Sequence, residues 1–154
     1  MDELRVRPLG VVRSGRSAPV DDDWDAVASR IVLDPAELEA TATRGLEGFS
    51  HVEVVFVFDQ VAPGSVCRAS RHPRGRQDWP EVGILAQRAK DRPNRIGVTI
   101  CRLEAVDGLT LTVSGLDALD GTPVLDVKPV MEEFGPRGTR RQPAWASELM
   151  AGYW

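Results

Sequence analysis

Four cations, Arg88, Lys90, Arg92 and Arg95, fall within eight positions beside Asn94, with a single acid, Asp91, among them. Such a field suits a carboxylate or phosphate, because guanidinium groups donate charge-assisted, often bidentate hydrogen bonds to planar anions. Pro93 stiffens this loop and Gly97 permits close backbone approach. The plainer reading is a solvated loop whose charges pair with Asp91. A second constellation is the turn Gly115 to Pro123, which carries Asp117, Ala118, Leu119 and Asp120 and is followed by Asp126 and Lys128. Acids at turns often only satisfy backbone donors. They can also hold an ammonium group or ribose hydroxyls, or accept a proton from an amine being alkylated, and Asp126 and Lys128 are the candidates for that proton. A third group, Arg68, Arg71, His72, Arg74 and Arg76, is a basic stretch in an acidic chain.

Other chemistries find no footing. No Gly-x-Gly-x-x-Gly follows a first strand, no phosphate-cradling loop carries its lysine, and no Ser-His-Asp arrangement stands out. Cys67, Cys101, His51 and His72 have no recognisable zinc spacing, so no metal is expected. A net charge of -4 argues against a wholesale polyanion binder, whose domain is normally basic overall. With two cysteines, no basic apolar leader and no long apolar run, the expectation is a reduced, cytoplasmic protein with free thiols and no membrane.

The elements that must position these residues read as short strands. Leu4 to Val12 is a first strand interrupted at Pro8, and Arg13 to Asp25 is a loop in which four aspartates surround Trp24. That ring offers a stacking surface or covers a core edge. Ser29 to Leu33 is a strand. Asp34-Pro35 has the cap-then-proline order that opens a helical turn, with a brief helix expected over Glu37 to Gly45. Val52 to Phe58 is the strongest strand, β-branched and aromatic apart from Glu53, and it ends at Asp59-Gln60, whose side chains can bond a ligand at the sheet edge. Val61 to Pro80 has the composition of a long loop, the kind that is usually functional or disordered.

Val82 to Gln87 and Ile96 to Leu103 are further strands, and Leu109 to Val113 pairs with the latter across the Asp107-Gly108 turn. Val124 to Val127 completes a set of about seven strands at roughly ten-residue spacing, which points to a mainly β sandwich or barrel. Residues 1–130 form this domain. Residues 131–154 form a C-terminal extension with an amphipathic helix over Ala144 to Met150, whose Trp145, Leu149 and Trp154 are expected to cover the barrel or a second subunit.

Three segments together, Arg44-Gly45-Leu46-Glu47-Gly48-Phe49-Ser50-His51, Arg92-Pro93-Asn94-Arg95-Ile96-Gly97, and Gly115 through Pro129, resemble the TrmO family, also called TsaA-like. The resemblance runs over almost the whole chain. It implies a small closed β-barrel with short peripheral helices that uses S-adenosyl-L-methionine, forms a homodimer with the cofactor near the subunit interface, and methylates N6 of threonylcarbamoyladenosine in tRNA. By position it implies that Asp59, Gln60, Arg88 and the turn Asp117, Ala118, Leu119, Asp120 contact the cofactor, while Arg92, Pro93 and Asn94 shape the same pocket or its neighbour. Arg71, Arg74 and Arg76, with Arg92 and Asn94, are then the substrate-side candidates. The chain departs from the family pattern at Ala89-Lys90, Arg95 and Val130, and Asp59 stands where a histidine is common. Longer family members also carry a further C-terminal domain. Transfer to a small-molecule nitrogen nucleophile, and a binding protein without turnover, are the alternatives.

Overall fold

A computed structural model describes residues 3–154. Eight strands form: β1 (Gly10–Ser14), β2 (Ala28–Leu33), β3 (His51–Val57), β4 (Ser70–Arg71), β5 (Val82–Gly83), β6 (Ile96–Asp107), β7 (Thr110–Ser114) and β8 (Pro123–Pro129). Six of them close a barrel in the order β1-β2-β7-β6-β3-β8, with β8 returning to β1, and every pairing is antiparallel. The mainly β, barrel expectation holds. The count of about seven differs because β4 and β5 pair only with each other, outside the barrel.

The interior follows from alternation. Ile31 and Leu33 on β2, Val52, Val54 and Phe56 on β3, and Leu111 and Val113 on β7 are buried at every second position, and they meet Val12, Leu116 and Val124 in one core. Cys101 joins that core as a small buried residue. Gly97 lies opposite Phe56 across the β3–β6 ladder, and a Cβ there would fall 2.5 Å from two atoms of the Phe56 ring. The missing side chain therefore makes room for a core aromatic; close approach at this loop end serves the fold. A register shift between Val55 and Phe56 puts Val127 opposite inward Val54 and Asp126 opposite outward Val55. That bulge turns Asp126 to the outer wall.

Several local expectations are corrected. The first strand is Gly10–Ser14, and residues 3–9 form no strand: Pro8 lacks a ladder donor, and Leu4 and Val6 are exposed with nothing to pack on. The Asp34 side chain does accept the Ala36 N–H at 2.8 Å, but residues 35–45 form a chain of turns, not a helix. Thr43 fixes that chain to the barrel by donating its hydroxyl to the Gly108 carbonyl at 2.8 Å. The strand expected over Val82 to Gln87 is two residues long and gives way to a 3-10 turn at Ile84–Ala86. Buried Gln87 stabilises the switch by donating to the Arg71 and Val82 carbonyls. The C-terminal helix α1 (Ala144–Met150) forms, and its Glu148 accepts the Trp79 indole N–H at 2.7 Å.

Candidate functional site

The turn after β7 starts from Gly115, whose positive φ of 77° bends the chain where a Cβ would be strained. Leu116 and Ala118 then bury in the core, which leaves Asp117 between them as a fixed polar group. Its Oδ1 accepts from the hydroxyl of inward-facing Thr99, and its Oδ2 accepts from the hydroxyl of Tyr153. Burial first, then the charge and hydrogen bond of Asp117, hold the Tyr153 phenol well above its ordinary pKa, so it stays a donor. Burial, with a smaller push from Asp117, raises the Cys101 thiol to about 12, which removes it as a nucleophile. The positive charge of Arg88 acts on the Tyr153 hydroxyl in the opposite sense, and the exposed Arg88 guanidinium donates to the Val98 carbonyl. Asp117 and Tyr153 are thus a hydrogen-bonded carboxylate and phenol, and the positive charges of both Arg88 and Arg74 act on that phenol.

Tyr153 is held there by backbone. The Trp24 N–H donates to the Tyr153 carbonyl at 2.9 Å and the Asp23 N–H to that of Gly152 at 3.0 Å. Trp24 is buried outside the main core cluster, and the Arg16 guanidinium lies 4.3 Å from its centroid while donating to the Asp22 and Asp23 carbonyls. The acidic loop is thereby clasped onto the last residues of the chain.

At its other end the turn is tied to β1. Asp120 Oδ1 accepts the Ser14 N–H at 3.0 Å, the Asp120 N–H donates to the Arg16 carbonyl, and the Gly121 N–H donates to that of Val12. Asp120 also borders an open groove of about 550 Å³. Asp59 and Gln60 are exposed just past β3, where the Phe58 N–H bonds the Arg95 carbonyl and so joins this edge to the cationic loop.

That loop is less free than its composition suggests. Arg92 donates to the Gln87 carbonyl and Arg95 to that of Val61, each at 2.8 Å. Asn94 and Arg95 sit at φ of 64° and 54°, an arrangement asparagine tolerates better than most residues. Arg71 meets Asp91 through both guanidinium arms, Arg74 meets Asp22, and Arg76 meets Asp78 while stacking 3.9 Å from the Trp79 ring. The hydrogen bond from Arg71 draws the Asp91 carboxyl below its ordinary range. Asp126 and Lys128 pair with each other on the outer wall, whereas Asp117 bonds an inward-facing threonine. No cluster of three or more potential metal ligands occurs among the described residues.

The family model for the tRNA-methyltransferase O N-terminal domain matches residues 13–135. The chain belongs to this family. A Methanothermobacter thermautotrophicus relative named "Probable S-adenosyl-L-methionine-binding protein" is 39% identical over 88% of this chain and 96% of its own length. The tRNA (adenine(37)-N6)-methyltransferase of Escherichia coli is 40% identical over 60% of this chain and 41% of its own. A crystal structure of TrmO from Pseudomonas aeruginosa superposes with a TM-score of 0.75 at 30% identity, covering 94% of this chain and 62% of that one. The chain therefore spans nearly all of the archaeal relative and less than two thirds of the other two.

For a member of the TrmO family, the turn and Arg88 supply a coherent donor and acceptor set. Each Asp117 oxygen accepts one bond and retains a second acceptor site, and Arg88 spends one donor on Val98 while most of its fork stays open. Such a set can take a zwitterionic ligand, the guanidinium facing a carboxylate and the aspartate an ammonium or hydroxyl. Sequence reasoning missed Thr99, Arg16 and Tyr153. The Gly152-Tyr153-Trp154 ending was a visible aromatic signal, but nothing local tied it to Asp117.

Proposed function

We propose that this protein is an S-adenosyl-L-methionine-dependent N-methyltransferase whose acceptor is N6 of threonylcarbamoyladenosine in tRNA. The observation that carries the reading is the Asp117–Tyr153 pair, standing on the turn where the chain matches the TrmO family motif, with Arg88 among the cations that act on the phenol. The residues fit the cofactor: a guanidinium for its carboxylate, an aspartate with open acceptor sites, and apolar Leu116 and Ala118 beneath. When bound, S-adenosylmethionine supplies an electrophilic methyl on sulfur for in-line displacement. Such a transfer depends on positioning more than on acid–base strength, which suits a site whose nearest thiol is inert. In this reading Arg88 orients the ligand by charge, Tyr153 and Thr99 fix the Asp117 carboxylate, and Asp59 and Gln60, exposed past the end of β3, are further cofactor contacts. Asp126 and Lys128 serve the outer wall rather than the proton.

The same reading includes a homodimer in a reducing cytoplasm. No helix among the described residues is long and apolar enough to cross a membrane. The outer rows of β3 and β6 pair Val57 with Ile96 and Val55 with Val98, and Ile96 and Ile100 are 40% and 53% exposed. An apolar wall of this kind suits a second copy, and it runs past the Val98 carbonyl that Arg88 grips.

The internal pairing of Arg71, Arg74 and Arg76 favours a second reading, a small-molecule nitrogen acceptor, because these side chains are already neutralised. Incubation with methyl-labelled S-adenosylmethionine and total tRNA from a strain lacking this protein, followed by nucleoside analysis, tests the first reading. Label in N6-methylated threonylcarbamoyladenosine is the expected result. Label only in a metabolite fraction supports the second reading, and saturable cofactor binding without transfer to either leaves a binding protein.

A further inference from the structure

We propose that the groove over β1, β2 and β7 is a ribose-phosphate site that grips the backbone of an RNA beside the cofactor turn, an inference that rests on the tRNA reading above. Arg13 on β1 and Arg30 on β2 are direct cross-strand partners, and both are exposed. Like charges placed opposite one another on antiparallel strands repel, so the pairing costs the fold stability. Arg71, Arg74, Arg76 and Arg102 meet carboxylates, whereas Arg88, Arg92 and Arg95 bond backbone carbonyls. Among the described residues neither Arg13 nor Arg30 has an acid within ion-pair distance. Two guanidiniums held side by side without a counter-ion match a phosphodiester.

The groove beside them adds a hydroxyl on the same outward row, that of Thr112, which lies opposite Arg30 on β7. Asp120 also lines the groove, and a carboxylate would repel free phosphate. One of its oxygens is taken by the Ser14 N–H, and the other suits a ribose hydroxyl, which is the reason to assign a ribose-phosphate rather than an inorganic anion. The groove volume of about 550 Å³ lies within the range of small-ligand sites. Because Asp117 and Asp120 belong to one turn, RNA held here passes directly by the proposed methyl donor.

The test compares the full chain with R13Q/R30Q and R74Q/R76Q, measuring binding of an unmodified tRNA transcript over a salt series, S-adenosylmethionine affinity by calorimetry, and thermal stability. The R13Q/R30Q protein should lose about tenfold or more in RNA affinity, and its slope of log K against log salt should shrink by roughly 1.5, the share of two phosphate contacts. Cofactor affinity should be unchanged and the melting temperature equal or higher, since a repulsion has been removed. R74Q/R76Q should keep the wild-type slope. An unchanged slope in R13Q/R30Q overturns the site, and if the wild type still methylates tRNA the acceptor reading survives alone. A reduced RNA affinity in R13Q/R30Q with no methyl transfer by the wild type keeps the site and sinks the acceptor reading. No RNA binding by the wild type overturns both. Single-stranded RNA should outbind DNA of the same sequence, and equal binding, or competition by millimolar inorganic phosphate, would overturn the ribose-phosphate assignment.

Discussion

Replacing Gly97 with alanine separates a packing role from a ligand role at the loop that carries the densest positive charge. The glycine is not among the positive-φ positions, so alanine meets no backbone penalty, and the whole effect comes from its methyl group. That methyl would fall 2.5 Å from Phe56 Cε2 and Cζ, well inside ordinary contact. The Phe56 ring is 1% exposed and packed at 5.2 Å from the Phe58 ring, so it cannot swing into solvent to relieve the clash. Overpacking of this kind costs about 1–3 kcal/mol, which in a chain of this size lowers the melting temperature by roughly 2–4 °C per kcal/mol. Thermal denaturation of G97A, F56L and the double variant measures it. The two single changes should each destabilise, and the double variant should be more stable than their sum by about 1 kcal/mol or more, because the smaller leucine vacates the space the methyl needs. Strict additivity, or a G97A protein with an unchanged melting temperature but weakened cofactor binding, would refute the packing argument and return Gly97 to the ligand site.

Three further outcomes follow from the site. Arg88→Ala should weaken S-adenosylmethionine binding about 10- to 100-fold, the loss of a charge-assisted contact, while leaving the melting temperature nearly unchanged because that side chain is exposed; calorimetry and a thermal scan read the two. Tyr153→Phe removes the donor to Asp117 Oδ2 and should cost about 1 kcal/mol of stability and a few-fold in cofactor affinity, read by urea denaturation and calorimetry. Asp91 has a folded-state pKa below its unfolded value of 3.8, so its ion pair with Arg71 stabilises the protein above that pH and is lost as pH falls through the depressed value. Asp91→Asn should therefore lower the urea midpoint at pH 7 by the equivalent of about 1 kcal/mol for this partly exposed pair, and flatten the loss of stability on acidification below pH 4.

What the sequence made legible was what neighbours decide. The alternation of Val52, Val54 and Phe56 needs only a period of two, and Gly108 at φ 55° makes the expected tight hairpin between β6 and β7, though the turn is Gly108-Leu109, one residue later than Asp107-Gly108. The same local reasoning failed where a partner lies far along the chain. Residues 35–45 have helix formers and a good cap, yet the buried tie of Thr43 to Gly108 holds them as turns. The arginines from 71 to 76 read as a free basic group because Asp91 and Asp22 are distant in sequence, and only folding brings them to Arg71 and Arg74. Asp126 read as a candidate proton acceptor, and one bulged residue in β8 sets it on the outer wall. Of the candidate site, the turn and Arg88 were visible through the family motif, while Tyr153 entered only through tertiary contact.

The union of Tyr153 with Asp117 and with the backbone of Trp24 also sets an order of events in folding. Hairpins such as β6–β7 close short loops and form early, but a contact joining the acidic loop near the start of the chain to its penultimate residue closes nearly the entire chain and must come late. In refolding, the barrel strands can pair before Tyr153 docks on the acidic loop, so ligand affinity, rather than barrel formation, reports the last step.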